Sequence, residues 1–241
     1  MSQHIVTSFE TELQGLSGSI ADVGGRAEQL VDRAITALMR SDAQLALQAI
    51  ASDKLIDDAH RQLEEDAILL IARRQPMASD LREAVAALRI SSDIERIGDL
   101  GKNIAKRAVA IQNETFPNKL RVGVEHLAQL GIAQVKKVLD AYATRDLQKA
   151  REVCARDTDI DAVYTSLFRE LLTYMMEDPR NIGFSTHLLF CAKNVERIGD
   201  HATNIAETIH YLITGQMLAD ERPKQDMTSV TTFGYLAEDA D

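Results

Sequence analysis

The amino-acid sequence predicts an all-α protein built as two tandem three-helix bundles, six long helices with internal pseudo-twofold symmetry. Three features point there. The chain is rich in Ala, Leu, Glu, Gln and Arg, with aromatics at 5%, no Trp and only 4 Pro, a mixture that suits helices, whereas strands favour β-branched and aromatic residues. Apolar residues recur at helical spacing through long segments parted by short breaks. Landmarks of the first half return in the second in the same order.

The elements follow from these breaks. A first helix is expected over 5–40; the Gly24-Gly25 pair interrupts it and marks a kink or a close contact rather than a phosphate loop. Asp42 reads as the N-cap of a second helix over 43–74, its carboxylate placed to accept a free N–H of the first turn. Pro76 separates this segment from a third helix over 79–112, and Pro117 precedes a fourth over 118–144. Asp146 caps a fifth over 147–177, and Pro179 stands before a sixth over 182–214. After Gly215 the chain turns polar, acidic and aperiodic, with Pro223 inside it, and is expected to be a mobile tail. The domain boundaries that result are 1–113, 114–215 and a tail over 216–241. Helices of this length reach about 50 Å at about 1.5 Å per residue, so the bundles are elongated.

The repeat is detailed. Asp42, Ala46, Asp53 and Asp57 return at one constant spacing as Asp146, Ala150, Asp157 and Asp161. Pro76 returns as Pro179, and Glu95, Asp99, Asn103 and Ile104 return at another constant spacing as Glu196, Asp200, Asn204 and Ile205. Small length changes around one loop account for the drift, and duplication accounts for the pattern.

A formal net charge of −10 argues against a nucleic-acid partner, whose phosphates need a basic surface, and against charge-driven adsorption to anionic lipid. Metal cations and basic protein surfaces suit it better. Cys154 and Cys191 lie in different expected helices without CxxC spacing, so neither a disulfide framework nor a zinc knuckle is indicated. Met1 to Glu10 lack the basic and apolar regions of a signal peptide, and the longest uncharged stretches fall short of the roughly 20 apolar residues of a membrane helix. A cytoplasmic protein that meets membranes only through partners is expected.

The third helix of each half carries Glu-Arg-Ile-Gly-Asp, as Glu95 to Asp99 and as Glu196 to Asp200. Residues four apart share a helix face, so Glu95 stands with Asp99 and Glu196 with Asp200; Asn103 and Asn204 extend those faces by a turn as accessory polar ligands. Ile90, Ile94, Ile97, Gly101, Ile104 and Ala108 form the apolar stripe, which leaves the carboxylates facing outward or into a groove between helices. The second helices repeat the spacing as Asp53 with Asp57 and Asp157 with Asp161. Like charges at this spacing destabilise a helix by roughly 0.2–0.5 kcal/mol. A cost taken four times at matched places points to a compensating cation, and carboxylate oxygens suit hard ions. A single such pair on a solvated face is ordinary; the duplication carries the inference. Gly98 and Gly199, each costing about 1 kcal/mol within a helix, imply close packing by a neighbouring helix. Arg96 and Arg197 read as ion-pair partners of the adjacent acids.

Other candidates carry less. Glu207 and His210 have the Glu-x-x-His spacing of di-iron bundles, but Lys106 and Val109 take their places in the first half and cannot bind metal. His60, His126, His187 and His201 share no pattern and read as surface or structural. Cys191 falls on the apolar stripe and reads as core.

The paired Glu-Arg-Ile-Gly-Asp segments, preceded by Arg74 to Arg82 in the first half and by Tyr174 to Asp178 in the second, resemble the PhoU family over about residues 5 to 214. That resemblance implies two three-helix bundles and metal clusters held by Glu/Asp-x-x-x-Asp pairs, here Asp53/Asp57, Glu95/Asp99, Asp157/Asp161 and Glu196/Asp200. The ions implied are divalent or trivalent: Mg, Mn, Fe or Zn. It further implies a homo-oligomer, a dimer first, with no enzymatic activity. Its partners would be the ATPase of the phosphate-specific ABC transporter and the membrane histidine kinase that senses phosphate, and its task to restrain phosphate uptake and the starvation response. A metal-dependent carboxylate-site enzyme and a metal-free scaffold are the rival readings. The enzyme needs a nucleophile or base repeated beside the acids, and the sequence offers none.

Overall fold

The computed structural model describes residues 2–114 and 117–218. Six helices run in order: α1 (Ser2–Arg40), α2 (Ala43–Arg74), α3 (Ser79–Ala110), α4 (Asn118–Thr144), α5 (Leu147–Glu177) and α6 (Ile182–Thr214), with a 3-10 turn at Pro179–Asn181 before the last. The segment read as a tail lies outside the described residues from 219 onward.

The breaks are made by the expected residues. Asp42 accepts a hydrogen bond from Leu45 N at 2.9 Å and Asp146 one from Lys149 N at 3.0 Å, each satisfying a donor that a helix start leaves without an intrahelical acceptor. Gln75 and Arg145 close α2 and α4 in the left-handed region at φ 47° and 52°, and Gly215 closes α6 at φ 73°. Pro179 opens the 3-10 turn, where its missing N–H costs nothing.

Helices α1, α2 and α3 pack on one another, as do α4, α5 and α6; the two bundles meet through α3 on α6 and α1 on α4. One apolar core runs through both. The predicted stripe Ile90, Ile94, Ile97, Gly101, Ile104 and Ala108 is wholly buried, and so is Cys191.

The expected interruption at Gly24-Gly25 is corrected: α1 passes through both residues as a continuous helix. Ile20, Val23, Ala27, Leu30 and Val31 are all buried there, and burial on this scale outweighs a propensity cost of about 1 kcal/mol per glycine. The close contact is present. A Cβ on Gly24 would stand 2.5 Å from Leu139 Cδ2 of α4, whereas one on Gly25 would meet nothing within 4 Å.

Polar contacts pin the seam between bundles. Asp93 Oδ1 on α3 lies 2.9 Å from His201 Nδ1 and accepts from Asn204 Nδ2 at 3.2 Å, both on α6. Arg107 of α3 lies over the Phe190 ring, 4.1 Å from its centroid. Among the described residues, no helix is long and apolar enough to cross a membrane.

Candidate functional site

The first acid cluster forms where α2 rests on α3. A Cβ at Gly98, the motif glycine, would lie 3.1 Å from Ile56 Cδ1 and 3.8 Å from Asp53 Oδ1, so the missing side chain sets how near the α2 carboxylates come. Asp53 is only 4% exposed. Its Oδ1 has no hydrogen-bond partner, while Oδ2 accepts from Lys102 Nζ at 2.5 Å. The same ammonium donates to Asp99 Oδ1 at 2.5 Å. Arg96, on the solvent side, reaches Glu95 at 3.5 Å and Asp99 at 3.8 Å, the ion-pairing role expected for it.

These acids feel one another. Desolvation and then the charge of Asp53 push the Asp57 carboxyl above its ordinary value, with Lys102 opposing and Asp99 adding to the rise. Desolvation and then Asp99 do the same to Glu95, with Arg96 and His60 opposing. Burial works to lower the Lys102 ammonium, but its hydrogen bonds to Asp53 and Asp99 outweigh that and hold the group protonated well above its ordinary range. Asp53, Asp57, Glu95 and Asp99 are therefore one electrostatic cluster, and Lys102 sits within it.

The second cluster has the same frame. A Cβ at Gly199 would lie 2.9 Å from Ile160 Cδ1 and 3.8 Å from Asp157 Oδ1, the counterparts of the contacts at Gly98. Asp161 and Glu196 are buried, and Asp157 and Asp200 are half-buried. Thr203 Oγ1 donates to Asp157 Oδ1 at 3.1 Å. At the other end, Lys193 Nζ donates to Glu196 Oε1 at 2.8 Å and lies 5.0 Å from the centroid of the Tyr164 ring.

Asn103 is exposed, and Asn204 turns to Asp93 across the seam. Periodicity within one helix places both on the carboxylate face; the packing of α3 on α6, which brings Asp93 to Asn204, is not carried by it. Lys102 and Thr203 were missed. A signal existed: they stand three residues past Asp99 and Asp200, at corresponding places in the repeat. The Asp93–His201 contact was also missed, since it depends on how the repeats dock. His210 Nδ1 lies 3.0 Å from Gln216 O at the end of α6, a structural position.

Among the described residues, no three His, Cys, Asp or Glu side chains converge closely enough to hold a metal ion as they stand. To be shared by two helices, an ion would have to draw their carboxylates together against their mutual repulsion. The donor chemistry of the second cluster would suit this: its four acids carry oxygen donors of the kind hard cations prefer, and the Thr203 hydroxyl stands beside one of them, Asp157. In the first cluster a positive charge already bridges Asp53 and Asp99.

A PhoU domain match covers residues 20–108 and again 124–209, one for each bundle. The chain belongs to the PhoU family. It is 59% identical to the phosphate-specific transport system accessory protein PhoU homolog of Rhizobium meliloti (strain 1021), over 98% of both chains. It is 49% identical to the homolog of the same name from Caulobacter vibrioides (strain NA1000 / CB15N), over 95% of this chain and 100% of that one. The fold matches the crystal structure of PhoU from Pseudomonas aeruginosa with a TM-score of 0.84 at 38% identity, covering 86% of this chain and 100% of that one. The phosphate transport system regulatory protein PhoU from Streptococcus pneumoniae matches with a TM-score of 0.80 at 27% identity, over 87% and 99%. The PhoU fold thus occupies both halves, with one Glu-Arg-Ile-Gly-Asp motif in each matched segment.

Proposed function

We propose that this PhoU-family chain is a non-catalytic, cytoplasmic negative regulator of phosphate uptake and of the phosphate-starvation response. It would act as an adaptor between the ATPase of a phosphate ABC transporter and a phosphate-sensing histidine kinase, and assemble as a homodimer. The observation that carries the role in phosphate transport is the 59% identity, over 98% of each chain, to a protein named as an accessory protein of the phosphate-specific transport system. The adaptor mechanism draws its support from shape and charge. The helices are long, α1 alone having 39 residues, and offer extended docking faces; the net charge of −10 suits a basic partner surface. Such a protein works by binding one state of its partner better than another, and that difference in affinity bounds how far it shifts the partner.

The acid clusters would hold divalent or trivalent cations, Mg, Mn, Fe or Zn, and so set the charge of the face formed by α2, α3, α5 and α6. The chemistry of the residues themselves favours cation holding over catalysis: Lys102, Arg96, Lys193 and Thr203 lie beside the carboxylates, each engaged with an acid. Uptake of radiolabelled phosphate by phosphate-replete cells tests the role. Cells lacking the gene should take up phosphate faster than the parent, and the wild-type copy should restore restraint. Equal uptake in both strains would reject the proposal and bring the carboxylate-site enzyme forward.

A further inference from the structure

Away from the acid clusters, the second bundle buries an amide that has nothing to bond to. Gln134 of α4 is 5% exposed, and neither its Oε1 nor its Nε2 has a hydrogen-bond partner among the described residues. Burying an amide in this way is costly, so the group marks a place where something polar belongs. Gln134 lines a cavity of about 50 Å³ between α4 and α5. Val153 and Ile160, both buried, give the cavity apolar wall, and Lys137, Arg156 and Asp159 add charged groups to its lining. Arg156 and Asp159 are exposed, so the charges stand toward solvent and the amide lies at depth. Lys137 Nζ also donates to Glu152. That bond, with the charge of Lys137, holds the Glu152 carboxyl below its ordinary value, and Arg156 adds to the fall.

The fold itself does not require these residues. The spacing that relates Asp42 to Asp146 and Asp53 to Asp157 relates Leu30 to Gln134, Ser52 to Arg156 and Leu55 to Asp159. The register holds along α1 and α4, whose equivalent residues Ala37 and Ala141 accept from Asp42 N and Asp146 N. Leu30 is 1% exposed, an ordinary core residue. One bundle thus carries an amide, a cation and an anion around a cavity where its sister carries two leucines and a serine. Their donors and acceptors select a ligand. Lysine and arginine only donate, an ionised carboxylate only accepts, and an amide does both. A metal cation suits Asp159 but is repelled by Lys137 and Arg156; an anion without a proton suits the cations but is repelled by Asp159. An oxyanion that keeps a proton satisfies both sets. Its oxygens accept from Gln134 Nε2, Lys137 and Arg156, and its O–H donates to Asp159 or to Gln134 Oε1. Near neutral pH phosphate keeps such a proton and sulfate does not. Water would satisfy the amide but has no need of the charged residues.

We propose that this cavity between α4 and α5 is a binding site for inorganic phosphate, with Gln134 at its inner end and Lys137, Arg156 and Asp159 toward solvent. The choice of phosphate among protonated oxyanions rests on the regulatory reading proposed above, and the site gives that regulator a direct means of sensing the ion whose uptake it restrains. A water takes about 30 Å³ of liquid, so the cavity has room for a small ion and none for the carbon body of a phosphate ester. Glu152 and Asp159 offset the charges of Lys137 and Arg156, so the ion is chosen by hydrogen bonds more than by net charge, and binding is weak and reversible.

The test is equilibrium dialysis of the full-length protein against millimolar radiolabelled phosphate, with chelator present so that no metal in the acid clusters contributes. Nuclear magnetic resonance of the Gln134 side-chain amide, assigned by its loss in Gln134→Leu, reads the site directly. The parent should bind phosphate saturably, with the Gln134 amide signals shifting in step. Gln134→Leu, which installs the residue of the first bundle, should abolish binding, and circular dichroism checks that it folds. Arg156→Ser, at an exposed position where folding is not at stake, should weaken binding several-fold. Sulfate should compete poorly in the parent and well in Asp159→Asn, whereas glycerol phosphate should compete in neither. A parent that binds no phosphate, or binding that neither Gln134→Leu nor Arg156→Ser reduces, overturns the inference. Competition by glycerol phosphate makes this a phosphate-ester site and overturns it too. Uptake by cells separates this inference from the reading it rests on. If the purified parent binds no phosphate while deletion of the gene still speeds uptake, the phosphate site fails and the regulatory role stands. If the parent binds phosphate at Gln134 while deletion leaves uptake unchanged, the site stands and the regulatory role fails.

Discussion

Replacing Gly101 with Ala tests whether close helix approach, rather than helix propensity, sets the position of the motif helix. Gly101 lies on α3 two residues past Asp99, where α3 crosses α1. An added Cβ would stand 2.5 Å from Leu30 Cδ2, 3.0 Å from Val31 Cγ2 and 3.4 Å from Val31 Cα. Leu30 and Val31 are 1% and 2% exposed, so their side chains have little room to yield, and the Val31 backbone limits any shift of α3. Overpacking of this kind costs about 1–3 kcal/mol, against a propensity gain of about 1 kcal/mol for Ala over Gly. The net expectation is a loss of up to about 2 kcal/mol, or a fall in Tm of up to about 8 °C for a chain of this size. Gly25→Ala is the control, because a Cβ there meets nothing within 4 Å; propensity alone then predicts a gain of up to about 1 kcal/mol. Urea unfolding followed by circular dichroism compares the two. If Gly101→Ala gains as much stability as Gly25→Ala, the close approach of α1 and α3 is wrong.

The same reasoning predicts that Gly199→Ala, with its Cβ at 2.9 Å from Ile160 Cδ1, destabilises more than Gly98→Ala at 3.1 Å from Ile56 Cδ1, measured by the same unfolding. Asp42→Ala and Asp146→Ala should each cost about 1 kcal/mol, because each removes an acceptor from a helix start that Leu45 N or Lys149 N uses. Burial pushes the Cys191 thiol up to about 12, so at mildly alkaline pH it should react with a thiol reagent only after unfolding, and rapid labelling of Cys191 in the folded protein would contradict its place in the core. Asp57 and Glu95 have raised native pKa values, so the folded chain holds their protons more tightly than the unfolded one. Their burden on stability is complete above the native values and is relieved as pH falls toward the ordinary carboxylate values of about 4. Asp57→Asn in metal-free protein should therefore raise the urea midpoint at neutral pH, and the gain should shrink as pH falls through that window; a gain independent of pH would show that charge is not its source.

Much of the fold was legible because its signals are local. Asp42, Asp146 and the prolines set the helix breaks through hydrogen bonds and missing donors within a few residues, and the Ile90 to Ala108 stripe records which face of α3 is buried. Gly24-Gly25 misled because propensity is a local quantity, while the burial of Ile20, Val23 and Ala27 that keeps α1 continuous comes from other helices. The site divides in the same way. The i,i+4 pairing of the acids and the need for contact at Gly98 and Gly199 could be read along single helices. The inward turn of Lys102 to Asp53, the turn of Asn204 to Asp93 and the Asp93–His201 contact could not, because each joins two helices whose relative placement no single periodicity carries.

In the proposed role, this PhoU-family chain holds the phosphate-starvation response off when phosphate is plentiful. Its most direct measurement is a starvation-promoter reporter in phosphate-rich medium, in a strain lacking the gene and in the same strain carrying the wild-type copy. Strong expression is expected without the gene and silence with it. A promoter that stays silent in the strain lacking the gene would contradict it.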